Sequence, residues 1–418
     1  MFQLYYLNNK ARVILVPQSD TRSVTVLVMY PVGSRYEPEK LSGVSHFIEH
    51  LMFKGTKKRK STLILTREID RLGAEYNAFT SKEYTGYYIK TDSMYTQTAL
   101  DILSDMLFHS LFDQEEMERE KGPVVEEIRM YKDNPLLCIE NLFESLLYNG
   151  PLGRDIAGTE KHVLGFERQA VLKYRERYYQ PRYMTIVVAG RIDNNTTKCI
   201  EVNFGKIKNT TVGTTLFQPY HFRAKKKAAR ISVENKHTDQ AQLMLGFPGL
   251  PYNSHSNPVV AVMNMILGGS MSSRLFIQIR ERRGLAYMIR SGAENFRDTG
   301  YLSIRAGLDV KKTNTALSVI QREIQKIVNN GVTPRELKDA KTHIRGSLTL
   351  SLENSNAQAS WYAKEAIFQT RIRTPEEELE IIEAVSNQDI KKLAEQIFDW
   401  QKLRVAIIGD INSEEIKL

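Results

Sequence analysis

The chain has only two cysteines, Cys138 and Cys199, among its 418 residues. This scarcity excludes a scaffold held together by disulfides and favours a reducing compartment. No apolar run approaches the ~18 residues of a membrane-spanning helix, so we expect no membrane association through such a helix. The first residues lack a basic segment, a long apolar core and a small-residue cleavage site. We therefore expect no signal peptide and a cytoplasmic protein.

The charged residues leave a net charge of +9, and a basic chain raises the question of nucleic-acid binding. The basic residues are mostly dispersed, with dense clusters at Lys57–Lys60 and Lys225–Lys227. Neither zinc-finger cysteine spacing nor an RNA-binding aromatic motif accompanies these clusters. We therefore predict solvated basic loops and no nucleic-acid partner. Steering of an acidic partner is the remaining alternative.

The sequence contains the same pattern twice. The segments 72–76, 85–87 and 98–100 recur in the same order as 284–287, 299–301 and 315–317. Each half also ends on a β-branched run that is closed by glycine, at 184–190 and at 403–409. Repetition of this kind predicts a duplicated domain.

Strand patterns and helix patterns are grouped within each half, which predicts an α+β fold with antiparallel sheets. The segment 206–227 starts with a polar run that has no periodicity, as is typical of a linker. We therefore predict a first domain at 1–205, a linker at 206–227 and a homologous second domain at 228–418. One long helix is predicted over 376–397.

The segment His46-Phe47-Ile48-Glu49-His50 carries the strongest chemical signal. On a helix, His46 and His50 are four residues apart and project from the same side, where they can hold one metal ion. Glu49 lies beside them, where a carboxylate can take a proton from an activated water. The pattern H-x-x-E-H occurs in zinc hydrolases, and it predicts a zinc site. The alternative is that this spacing arose by chance. With only eight histidines in the chain, such a coincidence is uncommon.

A catalytic zinc ion usually has a third protein ligand, which must come from another segment. The acidic block 118–127 is a candidate because Glu120 and Glu127 are seven residues apart and share one stripe of a helix. Helix geometry alone leaves a solvated acidic face as the alternative. Pro123 lies between them, removes a backbone donor and predicts a kink.

These segments together resemble the pitrilysin or M16 family of zinc metallopeptidases. Within the family, the nearest groups are the small bacterial-type M16B peptidases and the mitochondrial processing peptidase. The segments that carry the resemblance are the H-x-x-E-H motif, the acidic block, and the segments 77–80, 151–154 and 178–181. The resemblance implies zinc bound by His46, His50 and Glu127, with Glu49 as general base. It also implies that Glu120 orients a ligand histidine.

The resemblance extends to the substrate side. It implies that an edge strand binds peptide substrate at Asn77, Ala78 and Phe79. The second half has no H-x-x-E-H motif, but its segment 270–287 fits the second-domain motif of the family. This match implies that Arg280 holds a substrate carbonyl and that Tyr287 stabilises the oxyanion. Without the resemblance, the arginine-rich segment is typical of a solvated helix face.

The sequence thus predicts a zinc-dependent endopeptidase that cleaves peptides or short unfolded polypeptides. The resemblance implies that the substrate is bound in extended form inside a two-domain chamber and that the chain forms a homodimer. Two alternatives remain within the same family. One is a partner-dependent processing peptidase, and the other is a non-catalytic structural subunit.

Overall fold

The structure is a computed structural model that describes residues 2–210, 219–220, 222 and 230–417. Residues 211–218, 221 and 223–227 of the predicted linker lie outside the described residues, as does the cluster Lys225–Lys227. The described residues form two compact units. Unit 1 takes its residues from Met1–Arg129, Arg154–Phe217 and Leu350–Ile372, and unit 2 takes its residues from Met130–Gly153, Gln218–Thr349 and Arg373–Leu418.

Unit 1 is built on a six-stranded sheet. Its strands are β1 (Gln3–Tyr6), β2 (Arg12–Pro17), β3 (Ser23–Tyr30), β4 (Glu75–Thr80), β5 (Thr85–Asp92) and β6 (Thr185–Gly190). They lie in the order β1-β2-β6-β3-β5-β4. Only β2 and β6 run parallel to each other. The inner strands β2, β3 and β6 are rich in buried β-branched residues, and β4 lies at one edge of the sheet.

Unit 2 repeats this topology. Its strands are β7 (Ile231–Asn235), β8 (Gln240–Pro248), β9 (Ala286–Asn295), β10 (Gly300–Asp309) and β11 (Arg404–Gly409). Their order, β7-β11-β8-β10-β9, matches β2-β6-β3-β5-β4 strand for strand, and again only the first pair is parallel. The predicted duplicated α+β fold is therefore confirmed. Both sheets are mixed rather than wholly antiparallel, because the first and last strands of each repeat are neighbours and run parallel to each other.

The α-helices lie between the strands in the sequence. They are α1 (Val44–Leu51), α2 (Thr62–Asp70), α3 (Thr96–His109), α4 (Gln114–Asp133), α5 (Pro135–Leu147), α6 (Glu160–Leu164), α7 (Arg168–Tyr178), α8 (Thr196–Ile200), α9 (Asn257–Asn264), α10 (Thr313–Asn330), α11 (Pro334–Ser351), α12 (Ser355–Phe368), α13 (Pro375–Ala384) and α14 (Asn387–Ile397). Among the described residues, no helix combines the length and apolar character needed to span a bilayer.

Each unit takes one covering helix from the other half of the sequence. In unit 1, α12 packs Ala359, Ala363 and Ala366 against the apolar face of β2, β3 and β6. In unit 2, α5 covers the corresponding face of β8 and β11. The compact units are therefore not contiguous in sequence. The predicted boundaries at 205 and 228 follow the sequence repeat and stay a prediction.

The prediction of one helix over 376–397 is wrong. The structure has two helices there, α13 and α14, which are separated at Val385 and Ser386. The Ser386 side chain accepts the backbone N–H of Asp389, and the Asp389 carboxylate accepts the backbone N–H of Ser386. This reciprocal capping box starts a new helix.

The prediction of a solvated basic loop at Lys57–Lys60 is wrong for Arg59. The Arg59 side chain is buried and its guanidinium group donates to the carboxylates of Glu68, Asp101 and Asp105. A buried charge of this kind is retained only when it is paired. The loop is therefore anchored to α2 and α3, with Lys57 and Lys60 exposed beside it.

Candidate metal centre

Helix α1 places the two histidines of the H-x-x-E-H motif. Its apolar side chains are buried in the core of unit 1, and they are Val44, Phe47, Ile48 and Leu51. The remaining face carries His46, Glu49 and His50, which are partly exposed. Burial of the apolar face fixes the rotation of the helix about its axis. The helical spacing then puts both imidazoles on one side, with ring centroids 4.6 Å apart.

A buried carboxylate holds the first turn of α1. The two oxygens of Glu37 accept the backbone N–H groups of Gly43 (2.7 Å) and Ser45 (2.8 Å). These N–H groups have no partner inside the helix and need one from outside. Gly43 has φ +94°, and a Cβ there would lie 2.4 Å from the Ala157 carbonyl oxygen. Only glycine fits this position, so the start of the helix is fixed from two sides.

We expect Glu37→Gln to remove one component of the pH dependence of the free energy of unfolding of the metal-free chain, a component that falls as the pH rises from about 4.5 to 7. Burial raises the pKa of Glu37 from 4.5 to about 7, although its hydrogen bonds with Ser45 and Gly43 and the charge of Arg154 oppose the shift. The folded chain then binds more protons in this window than the unfolded chain. Stability that is present below pH 4.5 is lost as the pH rises through 7, by about 3 kcal/mol.

Urea unfolding at pH 5 and at pH 7.5 measures this difference. The matched control is Glu39→Gln, which removes an exposed carboxylate two residues away. The control should keep the pH dependence of the wild-type chain. If Glu37→Gln also keeps it, the proposed titration of Glu37 is wrong.

Three ligand atoms form a compact triangle. His46 Nε2 lies 3.3 Å from His50 Nε2, and Glu127 Oε2 lies 3.6 Å and 3.4 Å from these two atoms. Zinc bonds of ~2.0–2.1 Å in a tetrahedral site require ligand atoms ~3.3–3.4 Å apart. The three side chains therefore have the donor chemistry and the spacing of three zinc ligands, and the fourth position is left for water or substrate. Among the described residues, this group alone has such an arrangement.

Glu120 and Lys54 support the second histidine. His50 Nδ1 lies 2.9 Å from Glu120 Oε1, and a carboxylate can only accept, so this nitrogen carries the proton. Once the ring is neutral, this tautomer leaves Nε2 free for a metal ion. Lys54 Nζ lies 2.5 Å from the other oxygen of Glu120. Burial would raise the pKa of Glu120, but its bonds to His50 and Lys54 hold that pKa below its usual value.

The two histidines differ in charge in the metal-free chain. Burial, together with the charge of His50, lowers the pKa of His46 to about 4, so its ring is neutral. Burial opposes the charging of His50 as well, but hydrogen bonds with Glu120 and Glu127 outweigh it and raise the pKa of His50 to about 9. Since a ligand imidazole must be unprotonated at the bound nitrogen, metal binding at this site would release a proton from His50.

Glu49 lies beside this triangle without being part of it. Its Oε2 accepts a hydrogen bond of 2.6 Å from the hydroxyl group of Thr80, the last residue of β4. Burial raises the pKa of Glu49, while the Thr80 hydroxyl partly opposes this shift. A carboxylate whose pKa is raised toward neutrality is a better proton acceptor at neutral pH than an ordinary one.

Helix α4 delivers Glu120 and Glu127 together. It runs unbroken from Gln114 to Asp133 through Pro123, so both carboxylates reach α1 from one helix face. Glu126 points away from the site, is exposed and pairs with Arg129 at 2.7 Å. The placement of these side chains agrees with the set that the sequence resemblance implied, while their roles stay predictions.

The predicted substrate residues of β4 divide between the two faces of the sheet. Ala78 lies in the core on the side of α1, and Thr80 bonds to Glu49 on that side. Phe79 points to the other face, where its ring covers Gly86 and packs against the apolar cluster formed by α12 and the sheet. Asn77 is exposed, and its side-chain oxygen accepts the N–H of Ala78. Any pairing of a peptide with this strand would therefore involve mainly the backbone.

Arg280 and Tyr287 lie together in unit 2. Arg280 belongs to a π-helical turn, Phe276–Glu281, and Tyr287 to β9. The guanidinium group lies 5.2 Å from the centre of the Tyr287 ring, as in a cation–π contact. Tyr287 is 75% exposed, which is unusual for so large a ring. Arg280 also lines a cavity of about 580 Å³.

The sequence indicated no role at the centre for three residues: Glu37, Lys54 and Thr80. Lys54 follows His50 by four residues, so helical spacing would have placed it near the same face. Thr80 follows Ala78 by two residues, so strand alternation would have placed both side chains on one face. Glu37 carries no local signal, because a loop brings it to the helix start.

Two family models match the chain. The model "Insulinase (Peptidase family M16)" matches residues 12–160, which include the triangle. The model "Peptidase M16 inactive domain" matches residues 165–344. The second name agrees with the lack of an H-x-x-E-H motif in the second half.

Relatives match over nearly the whole length. The uncharacterized zinc protease YmxG of Bacillus subtilis is 37% identical over 399 residues, which cover 95% of this chain and 96% of that protein. An uncharacterized zinc protease of Streptomyces coelicolor is 32% identical over 97% of this chain and 88% of its own.

Solved structures agree with the fold. The crystal structure of a protease from Helicobacter pylori has a TM-score of 0.91 at 22% identity, and it covers 98% of this chain and 99% of that chain. A peptidase M16 inactive domain from Pseudomonas fluorescens has a TM-score of 0.89 at 18% identity, with 98% of each chain covered. Since the family models and the relatives at 32–37% identity agree, this chain belongs to peptidase family M16.

Proposed function

We propose that this chain is a zinc-dependent endopeptidase that hydrolyses peptides or short unfolded polypeptides held in extended form. One observation carries the proposal: the triangle of His46 Nε2, His50 Nε2 and Glu127 Oε2 has the spacing of zinc ligands. The name "zinc protease" of two relatives supports the choice of metal.

A bound zinc ion would supply Lewis acidity, which polarises the scissile carbonyl group and makes water a stronger acid. The chain's own residues do the rest. Glu49 accepts a proton from the water that attacks the carbonyl carbon, and then delivers this proton to the amide nitrogen as the C–N bond breaks. Glu120 holds His50 in the tautomer that leaves Nε2 free.

The edge strand β4 is the proposed binding strand for the peptide. It pairs with β5 on one side and stands last in the described sheet. An extended peptide can add to such an edge through backbone hydrogen bonds, which requires no particular side-chain sequence. Thr80 at the end of β4 contacts Glu49, so a peptide on this strand would run beside the proposed base.

Arg280 and Tyr287 are proposed to bind the substrate near the bond that breaks, and this role rests on the sequence motif alone. We expect Tyr287→Phe to keep its zinc and to lose about 10²-fold in kcat, because it lacks the phenol donor for the developing oxyanion. Phenylalanine keeps the ring under Arg280, so folding should not change. Steady-state rates and zinc content measure both effects. A normal kcat in Tyr287→Phe would contradict the oxyanion role.

The test of the proposed function is mass spectrometry of a mixed peptide pool incubated with the zinc-loaded chain and with its Glu49→Gln variant. New products from the wild-type chain alone would support an endopeptidase and report its site preference. If the zinc-loaded chain cleaves nothing, the proposal is overturned in favour of a partner-dependent processing peptidase or a structural subunit. Sedimentation of the same preparation tests the homodimer, which stays a prediction.

A further inference from the structure

Thr80 joins two parts of the proposed mechanism. It is the last residue of the edge strand β4, and its hydroxyl group lies 2.6 Å from Oε2 of Glu49. The hydroxyl must donate, because an ionised carboxylate only accepts. A hydrogen bond to a charged acceptor is about twice as strong as one between neutral groups, so it restrains the carboxylate effectively.

The direction of the Thr80 side chain follows from the strand. Thr80 pairs with Thr85 of β5, and the alternation along β4 puts Ala78 on the same face. Ala78 is buried against the core that contains α1, so the following position on that face must also look toward α1. The sheet, and not the flexible end of a loop, therefore presents the hydroxyl group to Glu49.

We propose that Thr80 is a positioning residue for peptide hydrolysis, which orients the Glu49 carboxylate by holding Oε2. This inference rests on the proposed function. With Oε2 held, Oε1 remains to accept the proton of the attacking water. The strand proposed to bind the extended peptide thereby also fixes the position of the base relative to the substrate. Misplacement of a reacting group by about 1 Å can cost about 10²-fold in rate.

The test compares Thr80→Val, which removes the hydroxyl group and keeps the branched shape, with Thr80→Ser, which keeps the hydroxyl group. We expect Thr80→Val to lose about 10–100-fold in kcat, with KM changed less than about twofold and one zinc ion per chain. Thr80→Ser should recover kcat to within about threefold of the wild-type value. A merely structural role would lower the stability or the zinc content of Thr80→Val, and not kcat alone.

The matched control is Thr85→Val, at the position that pairs with Thr80. It removes a buried hydroxyl group that donates to the Val32 carbonyl and does not touch Glu49. This control should leave kcat within about threefold of the wild-type value, whatever it does to stability. If Thr85→Val slows turnover as much as Thr80→Val, or if Thr80→Val turns over normally, the proposal is overturned.

A second readout does not depend on activity. A double-mutant cycle of Thr80→Val and Glu49→Leu in urea unfolding should give a coupling of about tenfold in the unfolding equilibrium constant. No coupling would overturn the proposal. A wild-type chain that cleaves no peptide overturns the proposed function and this role together. An active wild-type chain with a normal Thr80→Val variant overturns this role alone.

Discussion

The Glu49→Gln variant is expected to bind one zinc ion per chain and to lose about 10²–10⁴-fold in peptide hydrolysis. Zinc binding should survive because the triangle consists of His46, His50 and Glu127, and Glu49 is not part of it. Hydrolysis should fail because an amide cannot accept the proton of the attacking water, and a positioned general base contributes about this factor. Glutamine has the size of glutamate and still offers an oxygen to the Thr80 hydroxyl group, so the local structure should persist.

Zinc content by elemental mass spectrometry and cleavage rates on one peptide measure the two effects. Removal of zinc from the wild-type chain with a chelator, followed by its return, provides the control, and activity should disappear and come back. Two results would contradict the assignment of Glu49 as base. One is a rate near that of the wild-type chain, and the other is loss of zinc along with activity.

The core of the site could be predicted because its signals are local. The positions of His46, Glu49 and His50 follow from helical spacing within one short segment. The assignment of Glu127 as a ligand required further information, because nothing in its own segment distinguishes a metal ligand from a solvated acidic residue. The resemblance to a family supplied that choice. Helix α4 continues through Pro123, where the kink stays a prediction, and it brings Glu120 to His50.

The rest depends on contacts between distant segments. Glu37, for example, reaches Gly43 and Ser45 only because its loop folds back over the start of α1. Helix α12 was not predicted because alanines form much of its buried face, and alanine gives only a weak apolar pattern. The pattern can be interpreted only once the sheet that the alanines cover is known. The strand order likewise depends on tertiary pairing, although the sequence repeat predicted that both halves would share it.

The Glu127→Gln variant is expected to bind zinc at least about 10²-fold more weakly and to lose activity at ordinary zinc concentrations. Partners of metal ligands already contribute about 10–100-fold to metal affinity, and a ligand should contribute more. A neutral amide oxygen is a poorer ligand for zinc than a carboxylate. The change also removes the negative charge that faces both imidazoles, at 3.6 Å from His46 and 3.4 Å from His50.

The neighbouring residue provides a matched control, because Glu126→Gln makes the same chemical change one position away. Glu126 is exposed and pairs with Arg129, so its loss should leave zinc affinity and turnover unchanged. Competition with a chelator of known affinity measures both variants under the same conditions. Equal affinities would mean that the third ligand is another residue, and a loss confined to Glu126→Gln would reverse the assignment. Weak binding by Glu127→Gln alone would locate the third ligand on the face of α4 that also carries Glu120, so that one helix supplies both a ligand and the support of another.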